Sequence, residues 1–335
     1  MSDVVMLTRI RLARNLKKYP FPCKLNTAGK NEVVKTVIDA IKNSNSPLAN
    51  DFDVLYVKDL TEAQRISLVE THLASPEFIS DSAGRAIVLS KDREISIMLN
   101  EEDHIRLQVL KKGFELEKAF ELADRLDTLL DENLDFAFDS KLGYLTQCPT
   151  NLGTGMRASV MLHLPALQSG KAVSRIAGNL QKLGLTIRGT YGEGTEPEGA
   201  MYQLSNQVTL GISEKSAIEN LRNITTQLVN QEQNAQKRMI ESIETQDKIS
   251  RSLGILKSAK LISRDEAMSL LSNVRFGVIT GELGGIYVNT IDRLISDIQP
   301  ATMIVNKQEN LTPQQRDIIR AEHIRTVLGR EPRQP

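Results

Sequence analysis

Hydrophobic residues in the first two-thirds of the chain switch repeatedly between two periods. From Asn31 to Ile41, Val33, Val34, Val37, Ile38 and Ile41 fall on one helical stripe. Leu116, Ala119, Phe120, Ala123, Leu126 and Leu130 form a second stripe. Val173, Ile176, Leu180 and Leu183 form a third, with Gly184 where a helix stops. Thr61 with Gln64 has the spacing of a capping box and opens a further helix. Strand signals lie between these helices. Gly84–Ser90 and Glu94–Leu99 are short β-rich runs joined by Lys91-Asp92-Arg93 and predict a hairpin. Arg157 to Leu164 alternates cleanly. Ala158, Val160, Leu162 and Leu164 take one face; Arg157, Ser159, Met161 and His163 take the other. Leu185–Arg188 and Met201–Leu210 are further strands. Between them, residues 189–199 carry glycines and charges at a density that predicts a functional loop.

Strand signals fade after about residue 212. Ser213 to about Lys248 is polar and helix-prone, Ser263 with Glu266 predicts a capping box, and Thr312-Pro313-Gln314-Gln315 has cap, N1 proline and N3 glutamine in order. The pattern predicts an α+β protein. An antiparallel sheet flanked by helices occupies residues 1–235, and a helical domain follows over 236–335.

Composition narrows the choices. The 335 residues are 40% hydrophobic and 25% charged, enough for a core of one large or two ordinary domains. The charges balance, with 42 Lys+Arg against 42 Asp+Glu, so nucleic acid is not the expected partner. Tryptophan is absent and aromatics are 4%, which disfavours base-stacking platforms. Cys23 and Cys148 cannot build a disulfide framework or a four-cysteine zinc site. No apolar run approaches a membrane span, and the start has no signal-peptide pattern. A soluble cytoplasmic protein is expected.

Several common signatures fail. There is no P-loop, no HRD and no DFG. Gly153-Thr154-Gly155-Met156-Arg157-Ala158 matches a dinucleotide fingerprint formally, but a strand follows where a helix is required. The histidines His72, His104, His163 and His323 lack metal-ligand spacing. Three clusters remain: Thr8-Arg9-Ile10-Arg11; Asn100-Glu101-Glu102-Asp103-His104-Ile105-Arg106; and Cys148-Pro149-Thr150-Asn151 through Gly153 to Arg157, continuing to Arg188 and the glycine loop. Each arginine alone reads as a solvated charge and the acids alone as a solvated turn. Together, Arg9, Arg11, Arg106, Arg157 and Arg188 suit a triphosphate through paired guanidinium–oxygen bonds. Glu101, Glu102 and Asp103, with Glu193 on the loop, suit a cationic substrate, magnesium, or both.

These strings resemble the phosphagen (guanidino) kinase family. The match runs through Thr8-Arg9-Ile10-Arg11, Asn100 to Arg106, Cys148-Pro149-Thr150-Asn151-Leu152-Gly153-Thr154-Gly155-Met156-Arg157-Ala158-Ser159-Val160, and Arg188-Gly189-Thr190-Tyr191-Gly192-Glu193, in the family's order. The resemblance implies an ATP site at Thr8, Arg9, Ile10, Arg11, His72, Arg106, Arg157, Ala158, Ser159, Val160, Met161 and Arg188 through Glu193, with His72 near the adenine. It implies that Glu102 and Glu193 clamp a guanidinium and that Cys148 sits beside the substrate; Glu101 is a catalytic candidate beside Glu102, since adjacent carboxylates can trade ligand and base roles. Guanidinium is a cation and a poor nucleophile. Two carboxylates can fix its plane, align one nitrogen with the γ-phosphorus and accept its proton. The arginines and Mg²⁺ carried with ATP supply charge neutralisation.

The first arginine string begins at Thr8, so the helical domain that precedes it in arginine and creatine kinases is expected to be absent. An open site of that kind suits an arginine on a protein surface. With the helical tail, the chain resembles the protein-arginine kinase branch of the family (McsB type). Arg316-Asp317-Ile318-Ile319-Arg320-Ala321 matches that branch's RDxxRA string, which implies a phosphoarginine-binding, allosteric pocket at Arg316, Asp317, Arg320 and Ala321. The resemblance further implies a homodimer, a small zinc-containing activator protein, and protein substrates with exposed arginine. It also implies a stress role in which marked proteins pass to a Clp-type chaperone-protease and a heat-shock repressor is a target. Two other readings stay open: a small-molecule phosphagen kinase such as an arginine kinase, and a non-catalytic phosphoarginine-binding adaptor.

Overall fold

The structure, a computed structural model, describes residues 3–43, 52–189 and 197–329. In chain order the strands are β1 (Val5–Arg14), β2 (Phe52–Tyr56), β3 (Ala86–Ser90), β4 (Ile95–Leu99), β5 (Ile105–Lys112), β6 (Phe138–Asp139), β7 (Gly143–Tyr144), β8 (Met156–His163), β9 (Leu185–Gly189) and β10 (Met201–Asn206). The helices of the first part are α1 (Thr27–Lys42), α2 (Glu62–Glu70), α3 (Pro76–Ile79), α4 (Leu116–Asp131), α5 (Pro165–Ser169), α6 (Val173–Lys182) and α7 (Glu214–Met239). Then come α8 (Ile243–Ser258), α9 (Arg264–Ile279), α10 (Val288–Asp297), α11 (Pro300–Lys307) and α12 (Pro313–Leu328).

Eight strands make one sheet in the order β2-β3-β4-β5-β1-β8-β10-β9, with every pairing antiparallel. The period-2 pattern divides the sheet into two unlike faces. Ile10, Leu12, Ile97, Leu107, Val109, Ala158, Val160 and Leu204 project into a core shared with α1, α4 and α7. The opposite face carries Arg9, Arg11, Arg106, Gln108, Arg157, Ser159, Gln203 and Arg188, aligned by cross-strand register. Its β2–β4 end is closed by a second apolar cluster, in which Val57, Leu68, Leu73 and Phe78 cover Ile87, Leu89, Met98 and Leu110. A third cluster, from Leu256 to Leu328 with Met201, is the core of the helical region.

The local rules act where expected. Thr61–Gln64 and Thr312–Gln315 form reciprocal capping boxes, and the Ser263 hydroxyl accepts from the Glu266 N–H. Two expected elements end sooner. The strand from Met201 stops at Asn206, whose amide oxygen accepts from the Ala158 N–H at 2.7 Å. Its amide nitrogen donates to the Met156 and Val208 carbonyls, so a side chain replaces the ladder and the backbone turns away. The long helix from Ser213 breaks at Ile240–Ser242, where Ser242 takes an extended backbone and α8 begins.

The helical region grips the sheet through polar contacts. The Glu70 carboxylate accepts from the backbone N–H groups of Ala301 at 3.0 Å and Thr302 at 2.7 Å, capping α11. Buried His163 donates to the Ser272 hydroxyl at 2.8 Å and accepts from Arg275, itself paired with Asp292 at 2.7 Å. Burial, then the Arg275 charge, holds His163 neutral, well below the ordinary histidine value. Arg264 on α9 pairs with Glu198, just beyond residues 190–196. None of the described helices is long and apolar enough to cross a membrane.

Candidate active site

Five arginines converge because the strands carrying them are neighbours. Arg11 on β1 lies directly opposite Arg157 on β8, and Arg9 lies opposite Ser159. Arg106 on β5 pairs in register with Ala13, and Arg188 on β9 with Gln203. Like charges set across a ladder repel. The effect is visible in their proton affinities. Arg9 is lowered to about 10 by burial, then by Arg106 and Arg157. Arg11 is lowered well below the ordinary arginine value by burial and by Arg9, Arg106 and Arg157, with Glu101 opposing. The buried Arg11 Nε has no hydrogen-bond partner among the described residues. Arg9 donates to Gln203 Oε1 at 2.5 Å, and Arg157 donates to Ser205 at 3.4 Å. Such an array is costly to hold without a polyanion.

The turn between β4 and β5 carries the acids. Asn100 has φ 61°, and its amide nitrogen donates to the carbonyls of Lys30 and Gly84, both at 2.8 Å. Buried His104 closes the turn. Its Nδ1 accepts from the Leu16 N–H at 3.1 Å, and Nε2 donates to the Pro20 carbonyl at 3.0 Å. Burial lowers it to about 4, so it stays neutral.

Within this turn three adjacent acids have three environments. Glu101 is buried and accepts from Arg106 and from the Ser75 hydroxyl, both at 2.5 Å. Burial pushes it up, but Arg106 and these hydrogen bonds outweigh that and hold it below the ordinary glutamate value. Asp103 accepts from Asn15 at 2.6 Å and from the Gln147 N–H at 2.8 Å, tying the turn to the Cys148 segment. Glu102, half-exposed, is raised by burial, then by Asp103 and Glu101; Arg106 and a hydrogen bond with Cys148 counter only part of this. A carboxylate with raised proton affinity is suited to take a proton. Glu101, committed to Arg106, is placed to hold an arginine in position.

Cys148 is half-exposed, with Sγ 3.0 Å from the Thr150 hydroxyl. The glycines after it serve packing. Gly153 and Gly155 have φ 109° and 61°, and a Cβ on Gly155 would lie 2.7 Å from the Ala13 carbonyl oxygen. This explains a G-x-G string that has no dinucleotide role.

The alternation divides the side chains of the expected ATP-site residues between the two faces. Thr8, Ile10, Ala158 and Val160 are buried behind the arginine face. Thr8 donates to the Gly113 carbonyl at 2.7 Å, and the other three pack against the helices. These side chains support the site rather than line it. Ser159, Met161 and Arg188 lie on the arginine face, the last donating to Thr186 at 3.2 Å. His72 has φ 63° and is lowered to about 4 by burial and by Arg9, which places it beside that arginine. Gly189 ends β9; Thr190, Tyr191, Gly192 and Glu193 lie outside the described residues.

In the helical region, Arg320 is 1% exposed and donates to the carbonyls of Ile298 and Ile262, at 3.1 and 3.0 Å, and to Asp317 at 2.5 Å. Ala321 is buried in the helical core. Arg316 is half-exposed and lines a cavity of about 640 Å³ with Gln64, Gln308, Glu309 and Asn310. Arg320 is therefore a structural brace as well as a candidate ligand, which the spacing did not foresee. The sequence reading also missed Ser75, Asn15, Gln203 and Ser205. Gln203 and Ser205 are legible in hindsight as alternate polar positions of β10; Ser75 reaches Glu101 only through tertiary folding.

Residues 32–235 match the model of the ATP:guanido phosphotransferase C-terminal catalytic domain, and residues 242–335 match the protein-arginine kinase McsB C-terminal domain. The protein-arginine kinase of Halothermothrix orenii is 46% identical over 98% of this chain and 93% of its own length. That of Caldanaerobacter subterraneus subsp. tengcongensis is 42% identical over 98% of each chain. Among solved structures, the duplicated taurocyamine kinase of Schistosoma mansoni with bound transition-state analogue components superposes with a TM-score of 0.62 at 31% identity. That match covers 69% of this chain, which spans only 33% of the duplicated kinase. Lombricine kinase superposes with a TM-score of 0.60 at 27% identity, over 68% and 66% of the two chains. With its sheet, arginine cluster and acidic turn, the chain belongs to the ATP:guanido phosphotransferase family, in its protein-arginine kinase branch.

Proposed function

We propose that the protein transfers the γ-phosphoryl group of ATP to arginine side chains of proteins. The observation that carries this reading is the set of mutually repelling arginines, Arg9, Arg11, Arg106 and Arg157, facing the same site as a carboxylate of raised proton affinity, Glu102. The arginines neutralise the triphosphate, and Glu101 fixes Arg106. Glu102 orients the substrate guanidinium and receives its proton as the P–N bond forms and the bond to ADP breaks. Glu193 acts as the second carboxylate and Cys148 as a neighbour of the guanidinium. Glu101 is bonded to Arg106 and Glu102 takes the substrate's proton, so neither is assigned to a metal. Magnesium would enter on the phosphates of ATP and add to charge neutralisation there.

The tail is read as a phosphoarginine-sensing and dimer-forming domain, with Arg316 at its cavity. The match of residues 242–335 to the C-terminal domain of protein-arginine kinases supports that. The same membership supports a cytoplasmic stress role with a zinc-containing activator and a Clp-type protease downstream.

The test is incubation with Mg-ATP and an unfolded arginine-rich protein, with free arginine in parallel, read by mass spectrometry without acid. Phosphate on protein arginines alone is expected. Phosphorylated free arginine alone would make this a small-molecule kinase, and no product with ATP still bound would favour an adaptor.

A further inference from the structure

We propose that the helical domain supplies one wall of the subsite for the base and ribose of the nucleotide, through helix α10. The inference rests on the reading that the triphosphate lies on the arginine cluster. It starts from a cavity of about 730 Å³ between the arginine-bearing face of the sheet and the helical region. On β1 the residue next to Arg9 on that face is Leu7, and Leu7 lines the cavity. Same-face neighbours on a strand are about 7 Å apart. A nucleotide with its phosphates on Arg9 and Arg11 therefore reaches the cavity with its next groups.

His72 links the two regions. It lines the cavity, feels the Arg9 charge, and its carbonyl accepts from Gln108, which sits opposite Arg11, at 2.7 Å. The cavity is built as a base would require. Leu7, Leu110, Met161, Met201 and Met268 provide apolar surface, and thioethers pack well on flat rings. Asn289, Asp292 and Ser296 on α10 provide polar groups on the facing wall, of the kind that pairs with a purine edge or ribose hydroxyls. Asp292 is held by Arg275, which also contacts His163 on β8, so α10 is braced against the sheet that carries the arginines. Nucleotide and helical domain are thereby linked, and any ligand that shifts α10 alters ATP affinity by the same factor that ATP alters its own.

Two neutral changes test this without disturbing the charge of the phosphate site: Asn289→Ala, at an exposed position, and Ser296→Phe, which fills the cavity. Binding of ADP and of inorganic tripolyphosphate to the full chain is measured by calorimetry, with Arg11→Ala as reference. Each α10 variant is expected to weaken ADP by about tenfold or more while tripolyphosphate stays within about twofold. Arg11→Ala is expected to weaken both. Unchanged ADP affinity in both α10 variants, or equal weakening of both ligands, would overturn the proposal. Failure of Arg11→Ala to weaken either ligand would instead remove the phosphate reading beneath it.

Discussion

Glu102→Gln separates chemistry from architecture. The substitution keeps the side chain's volume and its ability to bond Cys148, and removes only the proton-accepting charge. A positioned general base contributes about 10²–10⁴-fold, or roughly 2.7–5.4 kcal/mol of barrier. That loss is expected in kcat, with ADP affinity retained because the arginines are untouched. Stability should move the other way. Glu102 is raised in the fold by burial and by Asp103 and Glu101. A carboxyl with a raised folded value contributes stability below its unfolded value and loses it as pH rises through the folded one. At neutral pH the charged form is therefore a burden, and the variant should melt no lower than the parent. The assay is single-turnover phosphoryl transfer across a pH series, with a thermal melt at each pH. The parent's rate should climb as pH rises through the raised Glu102 value, and the variant should lack that limb. A variant rate within about threefold of the parent, or lost activity with a lower melting temperature, would refute the assignment.

Four further outcomes follow from the geometry. Glu101→Gln should cost about 2–4 kcal/mol in denaturant unfolding, because it leaves the partly buried Arg106 without its counter-charge. Since Glu101 is held below its ordinary value, the parent should lose that stability as pH falls through the folded value, and the variant should not. Arg11→Ala should raise the melting temperature of the unliganded protein by relieving repulsion, and should abolish the upward shift that Mg-ADP gives the parent. Arg320→Ala should lower helical-domain stability by about 3 kcal/mol, since two buried carbonyls lose their donor; Arg316→Ala should melt normally and lose stimulation by free phosphoarginine in a kinase assay.

The sheet was legible where side-chain period alone decides. The clean alternation of Arg157–Leu164 assigned β8 and its polar face, and the Gly84–Leu99 hairpin formed as read. Boundaries set by tertiary bonds were not legible. Nothing local shows that the Asn206 amide replaces the ladder, or that Ser242 interrupts a long polar helix. In the site, the arginines were found because strings of unusual composition mark them. The division of labour among Glu101, Glu102 and Asp103 was hidden, because it depends on Arg106, Ser75, Asn15 and Gln147, which only folding brings together. Within each string a strand turns every second residue away, which sends the side chains of Ile10, Ala158 and Val160 to the core.

Phosphoryl transfer to protein arginine with Glu102 as the base is tested by phosphorus NMR of a reaction of Mg-ATP with an unfolded arginine-bearing protein at neutral pH, run with the parent and Glu102→Gln. The parent should give a protein-bound phosphoramidate resonance growing as the ATP γ-signal falls, and the variant should give none although it still binds ADP. A phosphate-ester resonance, or phosphoramidate formed equally by the variant, would contradict that assignment.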